Sequence, residues 1–374
     1  MGLVVATLAH VVFGAEPAAG SAGPYREPFA DSFPIRREQH LQITGYVDRL
    51  LAEQADRALR QFAPDTSNVA AYEKSLAPYR AKVGAFYGTP PPGARTGRIT
   101  RWVHVATDPD CEIYRAWIEV IDGVEAYGLY LLPQRRKGRV PLLIAQHGGG
   151  GNPEAICDLD TRINYRSFGR EAVRRGYAVW APALAMRSSF SGDPAIPGAA
   201  RELLDQKLRL AGTSIIGLEL HKILESMRTL VRERPEIDGE RIGMTGLSWG
   251  GFFTMYAAAL EPRIKVAAPS GYLRDLAQLH LRAAADDSKV TDREAVGGLG
   301  HFQAIGLICP RPCLMQIGRQ DGAINPLDGA QVEADRAAEF YRRLGIGDRF
   351  VYHLHAGGHE FEVPAILEFF DRHL

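Results

Sequence analysis

The hexapeptide Gly246-Leu247-Ser248-Trp249-Gly250-Gly251 sets one hydroxyl among glycines, directly after the apolar run RIGMTG (241–246) and before FFTMYAAAL (252–260). A strand, a tight reversal and a helix over these residues would hold Ser248 in a strained backbone conformation, its hydroxyl clear of the sheet. Side chains at positions 246 and 250 would collide with the neighbouring strand or helix. A serine alcohol is a weak nucleophile until a base takes its proton. The candidate base is His359, because Gly357 and Gly358 before it make a turn able to present an imidazole after the last strand. With a serine on such a turn, the partners follow in the order acid, then histidine. Asp321, in Gly318-Arg319-Gln320-Asp321 after the run PCLMQIG (312–318), is the expected acid; Asp275 and Asp328 are its rivals.

The run VPLLIAQ (140–146) ends in His147-Gly148-Gly149-Gly150-Gly151. Consecutive glycines let backbone N–H groups approach a tetrahedral oxyanion unobstructed. Gly149 or Gly150 is expected to give one donor and the Trp249 amide the other, with His147 orienting the loop. A phosphate-binding loop would need GK[ST] or GxGxxG spacing, and neither is present. His353 and His355 alternate along one strand and share a face, but no third ligand accompanies them at metal-site spacing. Neither a metal nor a cofactor is expected.

These groups need a scaffold that brings strand ends to one edge. Six continuous apolar runs serve: 140–146, YAVWAPAL (177–184), 241–246, IKVAAPS (264–270), 312–318 and FVYHLHA (350–356). Helical stretches such as LELHKILESMRTLVRERP lie between them. Strand–helix alternation with apolar strands means an α/β protein whose mostly parallel, doubly wound sheet is covered on both faces. CEIYRAWIEVI and EAYGLYLLP, joined through Asp122-Gly123, predict a leading antiparallel pair. Upstream, residues 35–87 read as helical, with Val47, Leu50, Leu51, Ala55, Ala58, Leu59 and Phe62 at helix-face spacing and a second helix interrupted near Pro78. We therefore expect a helical N-terminal extension over 25–97 and a catalytic domain over 98–374, with insertions at 185–215 and 271–308. Ligands bind at the carboxyl ends of strands in such sheets, so Trp249, Arg187, Tyr272 and His301 are candidate substrate-pocket residues.

Lys plus Arg equals Asp plus Glu at 44 each, and we find no basic stripe. That argues against a nucleic-acid partner or an anionic membrane surface. The first twenty residues form an apolar run ending in small residues, the pattern of a signal peptide over about 1–15. No Lys or Arg precedes Arg26 to form a positive n-region. Export, secreted or periplasmic, is the expectation, with no membrane insertion of the mature chain. Cys111, Cys157, Cys309 and Cys313 are too few for a disulfide scaffold; Cys309 and Cys313 flank Pro-Arg-Pro, where an oxidising compartment leaves a bridge open, and buried free thiols are the expected reading.

The stretch IDGERIGMTGLSWGGFFTMYAA, with GRQD and GGHEF downstream, resembles the α/β-hydrolase superfamily over about residues 100–374. Within it, the chain is most similar to the branch of dienelactone hydrolases, acetyl xylan esterases and related carboxylesterases or prolyl-oligopeptidase-like hydrolases. The resemblance implies a serine hydrolase cleaving carboxylic esters of small molecules or carbohydrates through Ser248, His359 and Asp321. Trp249 stands where acetyl xylan esterases carry Gln, and Ser248 where dienelactone hydrolases carry Cys, so neither of those substrates is implied. Two other readings are a prolyl-oligopeptidase-like peptidase and a non-catalytic binding protein of this fold. Residues 35–87 do not read as a propeller, against the first; every required residue type is present, against the second.

Overall fold

A computed structural model describes residues 24, 26–159, 164–185, 200–275, 299–323 and 329–374. The chain divides into two compact units, residues 1–50 and 51–374. The first holds most of helix α1 (Phe33–Ala52). In the second, α2 (Gln54–Gln61), α3 (Val69–Ser75) and α4 (Ala77–Tyr87) precede the sheet, and the expected break near Pro78 falls at Leu76. The proposed signal segment and Arg187 both lie outside the described residues.

The sheet has nine strands: β1 (Ala94–Thr107), β2 (Cys111–Ile121), β3 (Val124–Pro133), β4 (Val140–Gln146), β5 (Ala178–Pro182), β6 (Ile237–Leu247), β7 (Val266–Ser270), β8 (Cys313–Gly318) and β9 (Phe350–His355). Their spatial order is β1-β2-β3-β5-β4-β6-β7-β8-β9. From β5 to β9 every pairing is parallel, while β1–β2, β2–β3 and β3–β5 are antiparallel. This is the α/β-hydrolase layout, a leading antiparallel set followed by six parallel strands. The leading set corrects one expectation, since it has three strands, not two. Residues 94–97, assigned to the helical extension, begin β1. That strand is mostly exposed and its register with β2 is broken in three places, so no apolar alternation marks it.

Successive residues of a strand face opposite sides, and β4 shows both sides buried. Leu142 and Ile144 join one core, Leu143 and Ala145 the other. The first core is covered by α8 (Ile215–Glu233) and α9 (Trp249–Leu260), the second by α6 (Phe168–Arg174) and α12 (Val363–His373). Among the described residues the remaining helices are α5 (Pro153–Ile156), α7 (Ala200–Leu210), α10 (His301–Ile308) and α11 (Ala330–Arg343). Helices α3 and α4 share the first core. Tyr72, Leu76, Val83 and Tyr87 are buried there with Phe252, Tyr256 and Phe340. Each such side chain contributes about 1.5–3 kcal/mol of hydrophobic stabilisation. Their polar atoms are tied in as well: Tyr72 Oη donates to Gly306 O at 2.9 Å, and Arg80 Nε to Ala259 O at 2.9 Å. All four cysteines are buried and unpaired.

Candidate active site

One residue separates β6 from α9, and it is Ser248, at φ 62°, ψ −123°. A non-glycine residue there costs about 1–3 kcal/mol and persists only when its surroundings over-determine it. Here they do. Ser248 N–H donates to Ser270 O at 2.9 Å and Phe252 N–H to Ser248 O at 3.0 Å. A Cβ on Gly246 would lie 2.3 Å from Gly250 O, and one on Gly250 would lie 2.1 Å from Gln146 O. The two glycines let β6, α9 and β4 close on the serine from both sides.

Strand β4 neighbours β6, with Gln146 opposite Gly246, so the glycine run after it lands against the serine. A Cβ on Gly148 would be 3.1 Å from Ser248 Cβ, and one on Gly149 2.8 Å from Trp249 Cδ1. Gly151 N–H closes a turn on Gly148 O at 3.1 Å, and Gly148 N–H is taken by Tyr165 Oη at 2.8 Å. The amides of Gly149 and Gly150 are thus the ones uncommitted in this turn. Trp249 N–H, at the first position of α9, is an intrahelically orphaned donor. His147 is buried at the loop's root. Leu184 N–H donates to its Nε2 at 3.0 Å, so the proton sits on Nδ1, which donates to Gly148 O at 2.8 Å. Burial pushes its pKa down to about 4, so the ring is neutral near pH 7 and pins the loop to the end of β5.

Asp321 follows β8 and His359 follows β9, and the two strands are paired in the sheet. His359 Nδ1 lies 2.7 Å from Asp321 Oδ2, and the second carboxylate oxygen accepts from Ala323 N–H at 2.9 Å. Asp321 is 3% exposed. Its interactions fix the imidazole with Nδ1 toward the acid and Nε2 away from it. The ring lies beside the tight turn at Ser248: a Cβ on Gly271 would be 3.1 Å from His359 Cε1 and 2.9 Å from Leu247 Cδ1. Gly271 follows Ser270, the residue whose carbonyl holds the Ser248 amide. The rival acid Asp275 is turned elsewhere, 3.2 Å from Arg336. Asp328 is outside the described residues.

Tyr272 and His301 sit behind Trp249 in an aromatic cluster. The Trp249–Tyr272 centroids are 5.8 Å apart and Tyr272–His301 5.5 Å. Both residues are buried, and His301 Nδ1 accepts from Arg274 N–H at 3.1 Å. Burial, then the charge of Arg274, lowers the His301 pKa to about 3. His353 pairs with Glu362, and His355 stacks on it at 6.3 Å. Among the described residues no cluster of three metal-ligating side chains occurs.

Two side chains at the site escaped the sequence reading. Tyr165 carries no signal beyond an aromatic residue in a polar stretch. Gln316, a polar residue inside the apolar β8, does carry one. Its Oε1 accepts from Glu362 N–H at 2.9 Å and its Nε2 donates to Glu362 O at 3.1 Å, tying down the segment after His359.

Comparison with known proteins adds to this. Residues 159–287 match the model of the dienelactone hydrolase family. The chain is 28% identical over 255 residues to YtaP of Bacillus subtilis (strain 168), assigned as a hydrolase; the match covers 65% of this chain and 80% of that one. Among solved structures, a protein of Bacteroides fragilis assigned as an acetyl xylan esterase superposes with TM-score 0.64 at 15% identity, over 84% of this chain and 82% of that one. A glucuronoyl esterase from Caldicellulosiruptor kristjansonii superposes with TM-score 0.55 at 20% identity, over 84% and 90%. At such identities the structural likeness speaks for the fold.

Proposed function

We propose that this α/β-hydrolase, with its dienelactone hydrolase family segment, cleaves carboxylic esters through an acyl-enzyme formed on Ser248. What supports the reading is a strained serine at the β6–α9 reversal and, beside that same turn, a histidine held 2.7 Å from a buried aspartate. Ser248 Oγ attacks the ester carbonyl carbon while His359 Nε2 takes its proton. Asp321 keeps the other ring proton on Nδ1 and balances the imidazolium charge. The oxyanion is received by the Trp249 amide and by that of Gly149 or Gly150. Collapse of the intermediate expels the alcohol, which takes the proton from His359. Water, deprotonated by the same ring, then releases the acid and restores the serine.

Ser248→Ala, assayed on an aryl acetate, should lose essentially all turnover. Purified variant with wild-type turnover sinks the proposal. Labelling by a fluorophosphonate should occur on the wild type and not on the variant.

For substrate, we propose acyl esters of carbohydrates or small molecules. The support is the balanced charge of the chain and a shared fold with proteins named for acetyl xylan and glucuronoyl ester cleavage. Comparing acetyl, longer acyl, feruloyl and uronate methyl esters tests it; activity confined to dipeptide anilides would replace it with a peptidase. We also propose export of the chain through its first residues, with α2–α4 as an extension packed on the catalytic unit. Among the described residues no helix is long and apolar enough to cross a membrane. N-terminal sequencing of the protein from its host should find a start after residue 14 or so if the leader is removed; a retained Met1 argues otherwise.

A further inference from the structure

Four consecutive glycines, Gly148–Gly151, supply no conformational order of their own. An oxyanion hole stabilises a transition state only if its donors are set in advance. The order must come from contacts, and beyond the His147 clamp, the turn's own hydrogen bond and the Trp249 ring beside Gly149, the loop's side-chain contact among the described residues is with Tyr165. Its Oη accepts the Gly148 amide at 2.8 Å and fills the hollow of the turn, 2.0 Å from where a Cβ on Gly151 would stand. The residue is 2% exposed.

Tyr165 belongs to a short turn that also touches the histidine segment. Asn164 O accepts the Phe361 amide at 3.0 Å, Arg166 Nε donates to Glu360 Oε2 at 2.8 Å, and the Tyr165 ring lies 6.0 Å from that of Phe361. Arg166 and Ser167 follow with φ of 49° and 56°, a left-handed pair that turns the chain sharply into α6. One turn, 164–167, therefore grips both the glycine loop and the two residues after His359, although β4 and β9 are not neighbours in the sheet.

We infer that Tyr165 is a positioning residue for the proposed ester hydrolysis. Its hydroxyl claims the Gly148 amide, so that the turn presents the amides of Gly149 and Gly150 to the oxyanion in register with His359. The inference rests on the serine-ester reading above. Removing the hydroxyl leaves the glycines free to rotate, which should lower the rate of chemistry and leave ground-state binding nearly untouched.

The test is Tyr165→Phe in the full chain, assayed on an aryl acetate with the active sites titrated by the initial burst. We expect kcat per titrated site to fall roughly 10-fold or more, short of the 10²–10³ lost when an oxyanion donor is removed outright. KM should stay within about twofold, and phosphonylation by a fluorophosphonate should slow in parallel. A merely structural role would lower the titrated fraction or the melting temperature and leave kcat per site unchanged; that result overturns the inference. A second arm uses Gly151→Ala, whose new methyl meets Tyr165 Oη. Its effect on kcat should be smaller in the Tyr165→Phe background than in the wild type; strict additivity in the double-mutant cycle counts against the contact. Ser248→Ala is run alongside. If it retains turnover, the serine reading falls and takes this inference with it. If it is inactive while Tyr165→Phe is normal per site, only the role of Tyr165 falls.

Discussion

The two halves of the candidate site are held in different ways. On the β4–β6 side, the serine is fixed by backbone closing on backbone, Ser248 N on Ser270 O, with strand ends packed where any Cβ at 246 or 250 would intrude; the glycine loop beside it hangs on His147 and Tyr165. On the β8–β9 side, the backbone bonds Arg319 N–H to His355 O and Gln320 N–H to Gly357 O set the frame, and side chains orient the acid and the histidine within it, through Asp321 on His359, Gln316 on Glu362 and Arg166 on Glu360. Backbone closure tolerates almost no substitution but needs no partner. Side-chain fixation tolerates change at the cost of being divisible into parts. The first half should therefore fail all at once, and the second by degrees.

After loss of the serine hydroxyl itself, the largest effect expected is at the acid. Asp321→Asn should cost about 10⁴-fold in kcat by leaving the imidazole in the wrong tautomer, whereas Asp275→Asn, which disturbs the pair with Arg336, should keep kcat within a few-fold. Equal losses would mean the acid is misassigned. Next comes acidity. His147 and His301 are neutral in the fold, with pKa values pushed down to about 4 and about 3 against an ordinary 6.5. A histidine whose folded pKa is depressed stabilises fully above its unfolded pKa, and loses that contribution as pH falls through the window down to the folded value. They are worth on the order of 3 kcal/mol for His147 and about 5 kcal/mol for His301, so melting temperature should drop as pH falls from 6.5 toward 3, and His147→Gln should flatten part of the slope. A flat profile over that range would show that neither ring is buried neutral.

Gly250→Ala, on the backbone-closed side, should destabilise by about 3 kcal/mol, the upper end for overpacking, because the opposing atom is the Gln146 carbonyl and cannot rotate away. Chemical denaturation reads this directly. Gln316→Leu, on the other side, leaves one amide and one carbonyl of Glu362 without their partner and should cost about 1–3 kcal/mol, with a reduced kcat and unchanged KM. Arg166→Ala removes a pair whose arginine side chain is 53% exposed; a loss under about 1 kcal/mol is expected. Were it to exceed Gln316→Leu, the ranking of contacts on this side would be reversed.

The same contrast governs what could be read from the chain alone. Backbone closure writes itself as glycine, so Gly246, Gly250 and the run 148–151 point to the elbow and its loop directly. The positions of His359 and Asp321 follow from chain order and from the strands before them. Tyr165 could not be found this way, since a hydroxyl reaching a backbone amide across 17 residues leaves no pattern. Gln316 and Gln146 were discoverable, each the polar exception in an otherwise apolar strand. Strand β1 was missed because alternation needs one buried face, and most of Ala94–Thr107 is exposed. Tyr272 and His301 follow β7, which makes them pocket candidates in the sequence; the structure packs both into the wall behind Trp249.

The four buried cysteines have a practical consequence. Burial raises the Cys111, Cys309 and Cys313 thiols to about 12 and Cys157 higher still, and the thiolate is the form that reacts. Maleimides and iodoacetamide should pass over the folded protein, and reductants should leave it unaltered. A cysteine placed on the surface by mutation would then be its one readily alkylated position, ready to carry a dye or a tether without protecting the native four.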